Sequence, residues 1–203
     1  MGRAFHPDAG DGAARDRGRD AGRRAPAAGN TDGRAFVVLA GTGETAQYWD
    51  VALPAGRDRD EFRWQGLLHA PVLVLPCASA DAYIARYAEP DKAATGLGAG
   101  ADAWPVPYWS IDTAFSAMRI LDACVAEGLA ACFFGLFDHE RAVRAALRIP
   151  AGWQPIGTIA IGHADVEADA PGRSAARPRP SLVDVVHRGG WQPRVVPGAG
   201  GEP

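Results

Sequence analysis

No apolar run in this 203-residue chain approaches the about 20 residues a membrane-spanning helix needs. The start also lacks the apolar core of a secretory signal. Cys77, Cys124 and Cys132 are an odd number without a C-x-x-C pair, and all lie in apolar stretches where a free thiol behaves as a small hydrophobe. A reduced, cytoplasmic chain is therefore expected. His6, His69, His139, His163 and His187 include no H-x-x-x-H spacing, so no metal site is expected. Ser79, Ser110, Ser116, Ser174 and Ser181 all lack a G-x-S-x-G setting, and no acid/base pair or nucleophile triad stands out. A net charge of −3 gives no electrostatic reason to expect nucleic acid or an anionic membrane as partner. The first 36 residues contain no Val, Ile or Leu. Residues 8–24 are almost all Gly, Ala, Asp and Arg, too poor in apolar surface to offset their ordering entropy, and are expected to be disordered.

What is present is an ordinary globular composition, 47% hydrophobic and 22% charged, in a length that suits one domain with a sizeable core. Residues 35–39 (AFVVL), closed by Gly41, have the pattern of a short buried strand. A helix over 44–53 follows, with Thr42 as N-cap and Pro54 as the stop. Residues 57–63 form a charged loop. Residues 71–77 (PVLVLPC) are a second core strand that runs into Ser79, Ala80 and Asp81, which cap a helix over 81–87. Residues 89–108 carry Gly96, Gly98, Gly100, Pro105 and Pro107, a long excursion of the kind that serves as a lid or binding loop. The strongest helix pattern covers 111–129: Phe115, Met118, Leu121 and Val125 recur at helical spacing, and Ala and Cys fill much of the opposite face. That breadth predicts a nearly buried central helix or one at a subunit interface. A strand or extended turn over 130–134, an amphipathic helix over 138–147, a strand over 156–161 and a short helix over 180–187 complete the chain. No internal repeat is visible.

Gly41-Thr42-Gly43-Glu44-Thr45-Ala46 satisfies G-x-G-x-x-G/A between a strand and a helix. The acid that a dinucleotide site needs about 20 residues on falls at Asp58, Asp60 and Glu61, in a loop without strand pattern. The motif reads as a tight strand-to-helix turn. Trp104, Tyr108 and Trp109 are flat side chains able either to pack or to stack on a flat ligand. The more informative signal is an order of parts. An apolar helix, GLAACFFG, an amphipathic segment, a strand and an Arg/Pro tail suit a flavin, offering amides to a ring and cations to a phosphate.

Residues 24–30 (RAPAAGN), followed by AFVVL, resemble the A-P-S-x-N-x-Q-P-W segment and first core strand of the FMN-dependent nitroreductase family. That family continues with a long helix, a G-L-x-x-C-x-x-G turn, a helix ending in I-P and a strand ending in I-G. This chain has Gly128-Leu129, Cys132, Gly135, Ile149-Pro150 and Ile161-Gly162 in that order. It closes with Arg177-Pro178-Arg179-Pro180-Ser181-Leu182 and Val185-Val186-His187, similar to the family's R-x-P-L and V-V-H tail. Ala27 stands where the family has Ser, and Asp32 and Arg34 stand where it has Gln and Trp. Arg3-Ala4-Phe5 resembles only the end of its R-R-S-x-R-x-F signature, so the N-terminus is expected to be truncated or divergent, with Met1 inside a longer reading frame.

The resemblance implies an α+β fold with a central mixed sheet flanked by helices and a flavin at a homodimer interface. It implies a poorly ordered or degenerate segment 1–24, an FMN-binding domain 25–192 and a flexible tail 193–203. The implied activity is hydride transfer from NADH or NADPH through FMN, in ping-pong fashion, to a nitroaromatic, quinone or related flat acceptor. Alternatives on the same fold are a flavin-dependent dehydrogenase, a dehalogenase, a flavin-cleaving enzyme or a non-catalytic homodimer without tight FMN binding. With chemistry borne by the flavin, no side-chain catalyst is implied. Cofactor contacts carried over are Arg3, Pro26, Ala27, Ala28, Asn30, Phe133, Phe134, Gly135, Arg177 and Arg179, with Trp104 and Tyr108 toward the acceptor.

Overall fold

The computed structural model of the chain describes residues 3–6, 20, 22–54, 56–169, 172 and 176–191. The chain divides into two compact units, Met1–Ala170 and Pro171–Pro203. Residues 8–19 and 21 of the segment expected to be disordered, and the tail from residue 192, lie outside the described residues. Among those described, no helix is long and apolar enough to cross a membrane.

The first unit is organised around β2 (Val72–Ala78), whose seven side chains are all buried. Its uninterrupted apolar run thus belongs to a strand covered on both faces. β1 (Arg34–Ala40) pairs with one edge of β2, and β5 (Thr158–Gly162) with the other. β3 (Ala130–Phe134) pairs with β5, which gives the order β1-β2-β5-β3. Every pairing is antiparallel, so the expected mixed sheet is corrected to an antiparallel one. A two-residue strand absent from the sequence reading, β4 (Gln154–Pro155), also pairs with β2. The break between β4 and β5 has a local cause. The Ile156 amide donates to the Pro76 carbonyl at 3.0 Å. On that edge Pro76 has no N–H to return, so the ladder is interrupted opposite it.

Alternation along the strands sorts the core into two layers. Leu39, Leu73, Leu75, Cys132 and Ala160 face α1 (Thr42–Ala52) and α5 (Glu140–Ala146), which supply Tyr48, Trp49 and Val143. Val72, Val74, Ala131, Ile159 and Ile161 face α4 (Tyr108–Ala126), which supplies Ala117, Ile120 and Cys124. α4 starts three residues earlier than its pattern predicts, and it is not nearly buried. Its inner face is Thr113, Ser116, Ala117, Ile120 and Cys124, whereas Phe115, Met118 and Val125 are 49%, 53% and 72% exposed. The larger apolar side chains thus point away from the sheet.

Other departures are local. Gly41 (φ 81°), not Thr42, is the N-cap of α1. Glu44 reaches back to accept the Ala40 amide at 2.7 Å, which closes the turn without a bound nucleotide. The charged stretch after Pro54 contains a single helical turn, α2 (Arg57–Asp60). Ser79 caps α3 (Ala80–Tyr87) as expected, accepting from the Ala82 amide. Residues 89–104 are three 3-10 turns packed onto α3, with the Trp104 indole donating to the Leu97 carbonyl at 3.0 Å. At the N-terminus, Ala4 and Phe5 are core residues. The Phe5 amide bonds to Gly66, His6 to His163, and Ala4 accepts from Asp165. In the second unit, α6 (Leu182–Val185) is shorter than predicted, and the Ser181 amide and hydroxyl both donate to Asp184.

Burial in the α1 layer has a pH signature. Burial pushes the Tyr48 hydroxyl from its ordinary value near 10 up to about 12, with the hydrogen bond from Thr158 acting weakly the other way. A raised acid group binds its proton longer in the folded state. Its stabilisation is therefore complete below about pH 10 and is lost as pH rises toward 12. Stability is expected to fall by roughly 3 kcal/mol across that interval from Tyr48 alone. Urea unfolding at stepped pH, with tyrosinate absorbance read in parallel, checks this. Full tyrosine ionisation near pH 10 with an intact fold would contradict it.

Candidate functional site

β3 ends where it leaves the sheet at Gly135, and the chain turns through Leu136 and Phe137 into α5. Phe134 faces the α1 layer, where it stacks on Trp49 (5.9 Å, 8° between planes) and meets Tyr48 edge-on. Tyr48 is fixed in turn by the Thr158 hydroxyl, which donates to it at 3.0 Å. These contacts follow from strand alternation, which sends Cys132 and Phe134 to this side. Gly135 lets the Phe137 ring pack close, since a Cβ there would lie 2.8 Å from that ring and displace it.

This corner opens into a cavity of about 390 Å³ whose walls include Arg3, Trp49, Phe62, Trp64, Phe134 and Gly135. The volume lies in the range of small-molecule sites. The guanidinium of Arg3 sits over the Trp64 ring, 5.4 Å from its centre, while its amide is tied to Asp169 at 3.0 Å. The indole nitrogens of Trp49 and Trp64 are buried without a partner. Among the described residues, no acceptor meets the amides of Gly135 and Leu136. Burial pushes up the thiol of Cys132, which also lines the cavity, while the Arg3 charge pulls it down. It is a neutral wall group. Gly135, Leu136 and Phe137 also border a second hollow of about 380 Å³ with Ser110 of α4.

The residues carried over from the resemblance fall into four groups. Arg3, Phe133, Phe134 and Gly135 meet at the cavity. Pro26, Ala27, Ala28 and Asn30 lie instead on the α4 side of the sheet. There the Ala28 amide donates to Asp112 of α4 at 2.7 Å, and Arg86 of α3 donates to the Gly29 carbonyl at 3.0 Å. Asn30 is exposed with φ 54°. Trp104 is buried among Tyr83, Tyr87 and Trp109, and Tyr108 lies 6.0 Å from it, partly exposed. Neither lines the cavity of Arg3. Arg177 and Arg179 belong to the second unit, where both are exposed.

Sequence reasoning missed Trp49, Phe62, Trp64 and Phe137. Their signal is a run of aromatics on either side of α2 and just after Gly135, legible only once the strand faces are known. Among the described residues, no three His, Cys, Asp or Glu side chains are grouped to hold a metal.

A cavity with a cation, flat aromatic walls and the unmatched amides of Gly135 and Leu136 in its lining suits a flat, anionic molecule, and FMN has that chemistry. The fold has many solved relatives. A nitroreductase family protein from Clostridium difficile 630 superposes with a TM-score of 0.66 at 17% identity, over 94% of each chain. An FMN-dependent nitroreductase from Clostridium difficile R20291 gives 0.63 at 15% identity, over 94% of this chain and 95% of that one. The NADPH:FMN oxidoreductase from Vibrio harveyi, complexed with NAD+, gives 0.66 at 16% identity, over 96% and 75%. A search of curated proteins finds no match. The sequence profile of the nitroreductase family matches residues 3–163, and the chain belongs to that family.

Proposed function

We propose that this chain is an FMN-dependent oxidoreductase that passes electrons from NAD(P)H to a flat acceptor such as a nitroaromatic or quinone, in two alternating half-reactions. The observation that carries the reading is the meeting of Arg3, the rings of Trp49, Trp64 and Phe134 and the open amides of Gly135 and Leu136 at one cavity. Names among the structural relatives, FMN-dependent nitroreductase and NADPH:FMN oxidoreductase, agree with it.

The chemistry a bound FMN supplies is electron exchange between nicotinamide and acceptor. The chain's residues hold and tune it. The amides of Gly135 and Leu136 are fixed donors that stabilise negative charge on a ring without reorganising. Phe133 and Phe134 wall the ring. Arg3 supplies a planar fork matched to phosphate oxygens. The segment of Pro26, Ala27, Ala28 and Asn30 takes the pyrimidine edge, with backbone doing what Ser does in the family pattern. Trp104 and Tyr108 border the acceptor, Tyr108 being the more exposed.

The site is shared between two chains in this reading. Within one chain the sheet lies between residues 26–30 and the cavity of Arg3, and the exposed Phe115, Met118 and Val125 offer an apolar face on which a second copy can seat. Two measurements follow. Purified protein is expected to retain flavin absorbance after desalting, and Arg3→Gln to weaken FMN binding by roughly tenfold or more, the value of a charge-assisted hydrogen bond. Undiminished affinity in that variant would remove Arg3 from the site. Met118→Glu with Val125→Glu is expected to convert a dimer to a monomer in light scattering and to release FMN. A monomeric parent protein that holds FMN tightly would end the shared-site reading.

A further inference from the structure

Three non-glycine residues among those described have a left-handed backbone: Asn30 (φ 54°), Phe137 (φ 45°) and Arg148 (φ 54°). Such strain persists where the surroundings demand it and gathers at functional sites. Phe137 and Arg148 line the same groove, about 760 Å³, along α5. Arg148 follows the C-cap Leu147, the position where glycine carries no penalty. An arginine is held there instead.

The charges of the groove point the same way. Arg141, Arg144 and Arg148 face Asp138 and Glu140. Arg144 is committed, 3.6 Å from Glu140 and donating to the carbonyls of Pro150 and Ala151. Elsewhere in the first unit the described arginine side chains have partners: Arg23 and Arg24 pair with Asp20, Arg59 with Asp50, and Arg86 with Glu89 and Asp91. Arg34 bonds to carbonyls and Ser116, and Arg3 covers Trp64. Arg141 and Arg148 have no ion pair, hydrogen bond or ring contact among the described residues, and they line one hollow. Two free planar forks in one groove suit a phosphate monoester dianion. Phe137, 86% exposed, belongs to this groove and to the walls of the Arg3 cavity. A dinucleotide with its nicotinamide at Gly135 can therefore lay its adenylate end along α5.

We propose that Arg141 and Arg148 bind the additional 2′-phosphate of NADPH and make the enzyme prefer it over NADH. This rests on the reading of the protein as a nicotinamide-driven oxidoreductase. The test is calorimetric titration at low salt with two probes, 2′,5′-ADP and 5′-AMP, on the parent protein, Arg141→Gln, Arg148→Gly and the double variant. FMN content is read in the same samples. The parent is expected to bind 2′,5′-ADP about tenfold or more tightly than 5′-AMP, consistent with charge-assisted contacts. Each single variant is expected to reduce that preference and the double to abolish it, with 5′-AMP binding and FMN content unchanged. Arg148→Gly keeps the left-handed turn and is expected to melt no lower than the parent, so lost binding is not lost folding. Equal binding of the two probes by the parent, or an undiminished preference in the double variant, overturns the proposal. A preference for 2′,5′-ADP in protein that takes up no FMN supports the groove and sinks the flavin reading. Tight FMN without the preference sinks the groove alone.

Discussion

Complete burial of β2 is the constraint on which the rest of the first unit depends. A strand covered on both faces needs a helix layer on each side, and alternation then leaves each neighbouring residue one direction only. Phe134 must meet Trp49 because Cys132 and Phe134 share a face, and Ala131 and Phe133, which alternate with them, must turn to the α4 side. The same rule parts the two groups of flavin-type residues. Residues 26–30 enter on the α4 side, Arg3 and Phe134 on the α1 side, and a barrier one sheet thick stands between them. The proposal of a site shared between two copies rests on that topology as much as on any surface patch.

Asp112 does on the α4 side what the aromatic packing does on the other. Its carboxylate is buried, and one of its oxygens accepts both the Ala28 amide and the Tyr83 hydroxyl, each at 2.7 Å. Burial and this bond both hold the Tyr83 hydroxyl well above the usual tyrosine range. A buried carboxylate is costly unless its lone pairs are met. Here the donors are a backbone amide and a phenol, and the nearby cation is Arg34. Arg34 bonds to the Ala25 carbonyl at 2.8 Å and to Ser116 at 3.1 Å, and Ser116 donates to the Asp112 carbonyl. Arg34 stands where the family pattern has Trp. The replacement is therefore tied to the support of residues 25–28 from behind, and with Arg86 on Gly29 it leaves that backbone little freedom.

How much of this was legible in the sequence depended on whether a signal is local. AFVVL, PVLVLPC and IGTIAI announced β1, β2 and β5 because burial of a strand needs only its own apolar residues. Ser79 capped α3 as predicted because a cap is decided within three residues. Strand direction was not legible: nothing in a strand's own residues states which way its neighbour runs, and the mixed sheet expected was wrong. The apolar periodicity announces α4 but not which of its faces meets the sheet. Phe115, Met118 and Val125 are larger and more apolar than Thr113, Ser116 and Ala117, yet close approach to the sheet selects the small side chains. The family pattern points to Arg3, Phe133, Phe134 and Gly135, which line the candidate cavity, whereas Trp49 and Trp64 come from segments that only the fold brings together.

Several of the costs in this structure are gathered at one corner. Two indole N–H groups without acceptors each carry a desolvation penalty of about 1–3 kcal/mol. Phe137 and Arg148 add left-handed strain beside them. A sequence under pressure for stability alone would exchange either tryptophan for an apolar side chain and place glycine at both strained positions. Such exchanges are ordinary elsewhere in the chain, where Gly41 and Gly128 occupy left-handed turns without strain. Donors left open and side chains held at a price in the same place are what a pre-organised site requires, since partners fixed before binding need not be reorganised when the ligand arrives. The contrast between the stable core of β2 and the unsatisfied corner at Gly135 is therefore the physical ground for taking that corner as the candidate site.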